Sequence, residues 1–496
     1  MQTFYWTEQQ LVQAVNGEQL NPEVGARTFD KVSTDSRQVD AQTLFIALRG
    51  ENFDAHQFLA QVVTAGAAVL LIAERSAWEA LSVRLPLAQQ PAVILVADTR
   101  LALADFARWH RRQMPLKKLI AVTGSNGKTT TKTLLAQVFA RAGKTLATVG
   151  NLNNDFGVPR TLLCLRPDDE YAIIEMGANH RGEIRYLTQI AEPDITVITN
   201  VAGAHLEGFG SLQGVIETKG EIIEGLKPES GVAIFNADMP GLDFWLEKAQ
   251  TLGIEQVKLF AIEQLSVPYP ALPRVTYSAV HTQNAAIQFE LQAEQQAAVS
   301  VQMPVLGEHN AMNAAAVCQV ALSAGLAMPQ ILAALQAFSG VPGRLQQTQI
   351  DCGLLLDDSY NANPESVKAG LASLAALPGC SIACLGAMAE LGEYSAAGHR
   401  EVAEFAAKIG IDALLVYGEA AQPMAPIFLQ ALEANGCLDG QQSAAFSEHA
   451  ALNEHLTHLL AQWMQQRGTP INILVKGSRS SRMEQVVQFL SARHHG

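Results

Sequence analysis

The sequence predicts an α/β protein of three domains: a small N-terminal α/β module, a central P-loop domain with a mostly parallel sheet, and a C-terminal Rossmann-like domain. Three observations carry this expectation. Short Val/Ile-rich runs alternate with helical patterns along most of the chain, as in parallel strands covered on both faces. One such run leads into a glycine-rich turn, then Lys-Thr and a helical pattern, as a phosphate-binding loop does. At 496 residues the chain is long enough for roughly three separate cores.

In chain order, apolar runs at 43–48, 67–73 and 92–97 are separated by polar turns and helical patterns and make up the first module. Residues 108–115, Arg-Trp-His-Arg-Arg-Gln-Met-Pro, form a basic, proline-ended stretch that places the first boundary at about 115. The central domain, 116–341, has expected strands at 119–122, 145–149, 172–175, 195–200 and 232–236. Leu134, Leu135, Val138, Phe139 and Ala142 recur at helical spacing, which predicts a helix over 129–142 with Gly143 as its cap. Residues 258–305 read as antiparallel strands and 310–326 as an alanine-rich helix. Val341-Pro342-Gly343-Arg344 reads as a hinge. Strand-like runs at 354–356, 382–385, 413–416 and 471–475 then predict a second open sheet over 342–496. There is no internal repeat and no low-complexity segment.

A net charge of −14 argues against a general nucleic-acid or membrane-surface binder, because phosphate backbones and anionic lipids demand a basic face. The six cysteines, Cys164, Cys318, Cys352, Cys380, Cys384 and Cys437, lie in apolar stretches without a Cys-x-x-Cys pair. They read as buried thiols in a reducing compartment. The N-terminus lacks a basic segment followed by an apolar core, and no stretch is long enough to span a bilayer, so a cytoplasmic enzyme without membrane insertion is expected.

The chemistry begins at Thr-Gly-Ser-Asn-Gly-Lys-Thr-Thr, 123–130. Backbone N–H groups and a helix N-terminus aimed at a polyphosphate, a Lys charge and a Thr hydroxyl within reach of Mg²⁺ make this a nucleoside triphosphate cradle. Its spacing is compact: the glycine before Gly127 is Gly124, whereas the common Gly-x-x-x-x-Gly-Lys form would need one at Val122. The strand at 171–175 ends in Glu175, and that at 195–199 leads to His205; both are candidate Mg²⁺ ligands, Glu175 the stronger because Mg²⁺ prefers oxygen. Glu207 reads equally well as a solvated loop charge. Glu-Thr-Lys-Gly-Glu at 217–221 has the composition of an exposed helix face. Asn151, Asn153, Asn154 and Asp155 follow a strand; they suit a polar substrate, or a structural loop.

Taken with Gly-Glu-His-Asn-Ala-Met-Asn (307–313), Pro-Gly-Arg (342–344) and Lys-Gly-Ser-Arg (476–479), the loop motif resembles the Mur ligases of bacterial cell-wall synthesis along the whole chain. Ser-Thr-Asp-Ser-Arg (33–37) and Gly-Glu-Asn-Phe-Asp-Ala-His (50–56) resemble the N-terminal module shared by the third and fourth amino-acid-adding members. The 151–159 segment, Asp-Asp-Ser-Tyr-Asn-Ala-Asn-Pro (357–364) and Met-Ala-Glu-Leu-Gly-Glu (388–393) resemble the last of these.

The resemblance implies ATP-dependent joining of D-alanyl-D-alanine to UDP-N-acetylmuramoyl-tripeptide through an acyl phosphate, in a chain expected to act as a monomer. It implies catalytic roles for Lys128, Lys219, His205 and Arg344. It implies ATP contacts from Gly124, Ser125, Asn126, Gly127, Lys128, Thr129, Thr130, Asn310, Asn313, Arg344, Asp358 and Tyr360. Ser36, Arg37, Asn151, Asn153 and Asn154 are implied at the UDP-substrate. The dipeptide is placed loosely at Asn361, Asn363 and Lys476. Two Mg²⁺ ions are implied, on Thr129, Glu175, His205 and a carbamylated Lys219. The C-terminal domain would close on ATP about Gly343. Competing readings are the tripeptide-forming sibling, a folylpolyglutamate synthase-like ligase, and a P-loop nucleotide-gated binding module without amide chemistry.

Overall fold

The computed structural model describes residues 4–494 apart from 51–52, 203–205, 264–268, 270, 295, 437–439 and 468–469. The α/β class and three successive sheet systems agree with the expectation. The chain divides into two compact units, Met1–Ala121 with Gly143–Met176 and Arg185–Pro193, and Val122–Ala142 with Gly177–Ile184 and Asp194–Gly496.

In the first unit, β1 (Glu18–Gln19), β2 (Lys31–Ser33), β3 (Thr43–Ile46), β4 (Val69–Ile72) and β5 (Ala92–Leu95) form one sheet in the order β1-β5-β4-β3-β2. All pairs are parallel except β1 with β5. β3 and β4 are buried at every position, which is why they read as continuous apolar runs. The basic stretch forms the end of helix α1, Thr99–Gln113. His110 anchors it: the ring accepts from Trp6 Nε1 at 3.0 Å and bonds Leu165 O at 3.0 Å, and burial pushes its pKa down to about 4. Arg111 and Arg112 lie in the last turn, where cations favour the helix dipole.

Strand β6, Lys118–Thr123, begins in the first unit and ends in the second. It enters the phosphate loop, from which helix α2 rises over Lys128–Ala140. α2 ends on Arg141 with its amide bonded back to the helix, so Gly143 is not the cap; the arginine reaches the helical region without a left-handed residue. Also in the first unit, β7 (Thr145–Ala147) pairs in parallel with β8 (Tyr171–Glu175), and Val149, expected in β7, is exposed beyond it. In the second unit β9 (Ile195–Ile198) precedes helix α3 (Leu212–Gly220) and β10 (Val232–Asn236). The parallel run continues through β11 (Gln256–Ile262) to β12 (Arg274–Gln283). Among the described residues of 256–303, the antiparallel pairs are β12 with β13 (Ala286–Ala293) and β13 with β14 (Val299–Met303), narrowing the expected antiparallel segment. Helix α4, His309–Ser323, is buried almost all round because its alanines let neighbours approach.

The last sheet contains β15 (Gln346–Ile350), β16 (Gly353–Asp358), β17 (Cys380–Gly386), β18 (Ala413–Tyr417), β19 (Gln442–Phe446) and β20 (Ile471–Lys476). Their order is β15-β16-β20-β17-β18-β19, parallel except for β15. Successive residues serve opposite cores, as the two-residue side-chain period requires. Leu356, Leu385, Leu414 and Leu474 pack with helices α5 (Pro364–Ala375) and α6 (Ser395–Lys408). Leu355, Cys384, Leu415 and Val475 pack with α7 (His449–Arg467). This is the doubly wound arrangement in which ligands lie beyond the strands' C-terminal ends.

The thiols divide. Cys318, Cys380 and Cys384 are buried, but Cys164 is exposed and Cys352 intermediate, which corrects the uniform expectation; Cys437 lies outside the described residues. Cys164 closes a short helical turn whose inner face is already filled by Leu162 and Leu163.

Candidate active site

The cleft is built around the turn between β6 and α2. β6 is buried from Leu119 to Thr123, which fixes the loop's start against the sheet. A Cβ at Gly124 would stand 2.0 Å from Thr199 Oγ1, and one at Gly127, where φ is +78°, 2.6 Å from Asn313 Oδ1. Both positions therefore demand glycine. The end of β9 locks the loop: Ser125 N donates to Asn200 O at 3.1 Å, Asn126 N to Asn200 Oδ1 at 2.8 Å, and Thr199 Oγ1 to Asn126 O at 2.7 Å. Lys128 Nζ donates to the carbonyls of Gly124 at 2.6 Å and Ser125 at 3.0 Å, so its charge lies over the loop.

Residues 125–130 share one cleft with Asn310, Asn313, Arg344, Asp358 and Lys476. Asn310 Nδ2 donates to Leu306 O at 2.7 Å, and Asn313 Nδ2 to Asn310 Oδ1 at 3.3 Å, so both amides are oriented by the start of α4. Arg344 leaves a tight turn of the Pro-Gly type: its N–H donates to Val341 O at 3.0 Å, and Gly343 has φ +69°. Its guanidinium stacks on the Tyr360 ring, 4.0 Å from the centroid, which aims the charge while leaving its N–H groups at the edge. Asp358 and Lys476 are register partners at the ends of β16 and β20 and form a buried ion pair at 2.6 Å. Burial lowers the Lys476 pKa and Asp358 opposes this.

Lys219, in the last turn of α3, is 2 % exposed. Desolvation, aided by Lys128 and opposed by Glu183 and Glu221, brings its pKa down to about 7. Phe209 lies over its ammonium at 5.2 Å. The exposed face expected from composition is thus wrong for this residue: the helix turns it inward, away from Glu217, which pairs with Arg181 at 3.1 Å. His205 lies outside the described residues, as does the side chain of Glu207.

In the first unit, Glu175 ends β8 nearly fully buried. Its Oε1 accepts from Asn153 Nδ2 at 2.8 Å, whereas Oε2 has no hydrogen-bond partner among the described residues. A buried orphan carboxylate oxygen fits a hard cation such as Mg²⁺. The amide loop divides by role: Asn153 orients Glu175, Asn154 Oδ1 accepts from Gly157 N at 2.9 Å, and Asn151 is exposed. Ser36 is half-buried, and Arg37 is exposed and held bidentate on Asp35 at 2.8 and 2.9 Å. That pairing lowers the Asp35 pKa to about 2.

Asn361 and Asn363 do not line the same space as Lys476. They border a smaller cavity with Ser125, Asn126, Lys128 and Arg344, although Lys476 Nζ donates to Asn361 O at 2.9 Å. Three further contributions go beyond the sequence reading, which names Asn363 only at the dipeptide. Asn200 reads there only as a strand end. His309 lines the cleft beside Asn310, and burial lowers its pKa. Asn363 caps α5 and donates to Asn126 Oδ1 at 2.8 Å, tying the phosphate loop to the last sheet's helix. Only His309 carries a signal, inside Gly-Glu-His-Asn.

A phosphate loop, an arginine presented by a Pro-Gly turn, and a doubly wound C-terminal sheet define a nucleotide-binding protein of the α/β class. The chain belongs to the Mur ligase family: the Mur ligase middle domain matches residues 122–321, and the glutamate ligase domain of Mur ligases matches 343–479. It is 41 % identical to the UDP-N-acetylmuramoyl-tripeptide–D-alanyl-D-alanine ligase of Escherichia coli K12, over 98 % of each chain. The enzyme of the same name from Bacillus subtilis is 32 % identical, again over 98 % of each. Among solved structures, MurF from Acinetobacter baumannii superposes with TM-score 0.86 at 33 % identity, covering 99 % of this chain and 100 % of that one. MurF from Thermotoga maritima, solved with ADP, shares the fold with TM-score 0.77 at 24 % identity, covering 94 % and 98 %.

Proposed function

We propose that this chain joins D-alanyl-D-alanine to UDP-N-acetylmuramoyl-tripeptide with ATP, giving UDP-N-acetylmuramoyl-pentapeptide, ADP and phosphate for cell-wall precursor synthesis in the cytoplasm. The observation that carries this is the cleft in which Lys128, Arg344 and Lys476 converge with Asn310 and Asn313 at the C-terminal ends of parallel strands. The full-length relatives named for this reaction supply the substrates. None of the described helices is long and apolar enough to cross a membrane.

The γ-phosphoryl passes to the peptide carboxylate, and the dipeptide amine attacks the acyl phosphate, expelling phosphate through a tetrahedral intermediate. Two anions must meet, so the protein's task is positioning and neutralisation. In this reading Gly124, the 125–130 amides and Lys128 hold the phosphates. Asn310 and Asn313 meet the adenine, with Asp358 and Tyr360 closing on the nucleotide. Arg344 neutralises the transferring group. Residues 1–115, with Ser36 and Arg37, take the uridine end, helped by Asn151, Asn153 and Asn154. Residues 116–341 form the ATP domain, and 342–496 bring the dipeptide to Asn361, Asn363 and Lys476. Thr129 and Glu175 offer oxygens to Mg²⁺, which when bound neutralises phosphate charge. Lys219 fits carbamylation, since a pKa of about 7 leaves much of the amine neutral and nucleophilic toward CO₂ near neutral pH; the carbamate would supply an oxygen, and His205 a ring nitrogen, to a second Mg²⁺.

Phosphate release that requires both UDP-tripeptide and D-alanyl-D-alanine is the expected result. ATP turnover indifferent to the dipeptide would refute the proposal.

A further inference from the structure

Past the end of β17 the loop 387–391 walls the smaller cavity, and three consecutive amides show how it is held. The Ala387 N–H donates to Tyr417 O at 3.0 Å, extending the pairing of β17 with β18 by one residue. The Met388 N–H donates to His399 Nε2 at 3.0 Å, and the Ala389 N–H to Ser478 Oγ at 2.8 Å. Beyond the sheet, two side chains from two other elements thus replace backbone partners. His399 is 1 % and Ser478 2 % exposed. Each is itself anchored. His399 Nδ1 donates to Ser395 O at 2.7 Å, which leaves Nε2 as the acceptor of a neutral ring, and Ser478 Oγ donates to Ala362 O at 3.3 Å. Glu390 follows at φ +63°, a left-handed conformation that a non-glycine residue holds only where its surroundings impose it. Ala389, Glu390 and Leu391 share the cavity with Ser125, Lys128 and Asn363.

We propose that His399 and Ser478 are positioning residues for the incoming amine: they clamp Met388 and Ala389 so that the Glu390 wall meets the dipeptide beside the phosphate loop. This rests on the dipeptide reading above. The test is phosphate release by the full chain at saturating ATP and UDP-tripeptide with D-alanyl-D-alanine varied, then with ATP varied. Ser478→Ala and His399→Leu are expected to raise the dipeptide KM about tenfold, the equivalent of one buried amide hydrogen bond, with the ATP KM within about twofold. His399→Gln, which keeps an acceptor, recovers most of the loss. Wild-type turnover indifferent to dipeptide would overturn both the functional reading and this one. Dipeptide-dependent wild-type turnover with unchanged dipeptide KM in the variants would overturn the clamp alone, as would a fall in kcat with both KM values intact. Should Ser478→Ala fail to fold, the His399 pair carries the same comparison.

Discussion

Lys219→Met gives a direct measure of what burial does at the centre of the second unit. A lysine whose pKa falls from 10.5 to about 7 is charged in the unfolded chain and about half neutral in the folded one at pH 7. The folded state therefore binds fewer protons than the unfolded state between those values. Stability from this group is lowest below pH 7, where the full cost of burying an ammonium applies, and rises as pH climbs toward 10.5. With 1.36 kcal/mol per unit, the penalty is about 4 kcal/mol at pH 7 and about 2 kcal/mol at pH 9. Methionine fills a similar volume without titrating, so the variant is more stable at pH 7, and its advantage shrinks by about 2 kcal/mol by pH 9. Urea unfolding of both proteins at the two pH values, in buffer purged of CO₂, reads this difference while other titrations cancel. An advantage that stays constant with pH would refute the desolvation argument, and with it the supply of neutral amine on which carbamylation depends.

Gly127→Ala places a methyl 2.6 Å from Asn313 Oδ1 at positive φ; a stability loss of about 1–3 kcal/mol and loss of ATP binding by calorimetry are expected together. Asp358→Asn strands the Lys476 ammonium and is expected to cost about 3–5 kcal/mol in denaturant unfolding, most of it recovered in Asp358→Asn/Lys476→Met. Asn363→Ala removes both the α5 cap and the bond to Asn126, about 2 kcal/mol together; Asn363→Ser keeps the cap, so thermal shifts separate the two.

The phosphate loop was legible because its chemistry is local: a buried strand, two glycines and a helix start within a few residues give backbone amides their direction. The strand runs were legible for a related reason, since strands buried on both faces are apolar throughout, and β10 has the bounds expected of it. The Gly143 cap and the length of β7 were misread because helix and strand ends depend on what the next residue can bond, which composition does not state. Composition alone points Lys219 outward, because 217–221 shows alternating charge and not which side of α3 meets the core; only the resemblance places it in the site.

The α/β class, the phosphate cradle at 123–130 and the family resemblance follow from contiguous residues. Tertiary structure alone decided that Asn200 locks the loop, that Asn363 reaches Asn126, and that Asp358 and Lys476 become neighbours through parallel register. These partners are separated by 74 to 237 positions or lie on strands joined by long crossovers. Their meeting is set by how the sheets bury their two faces, a property no short stretch of chain contains.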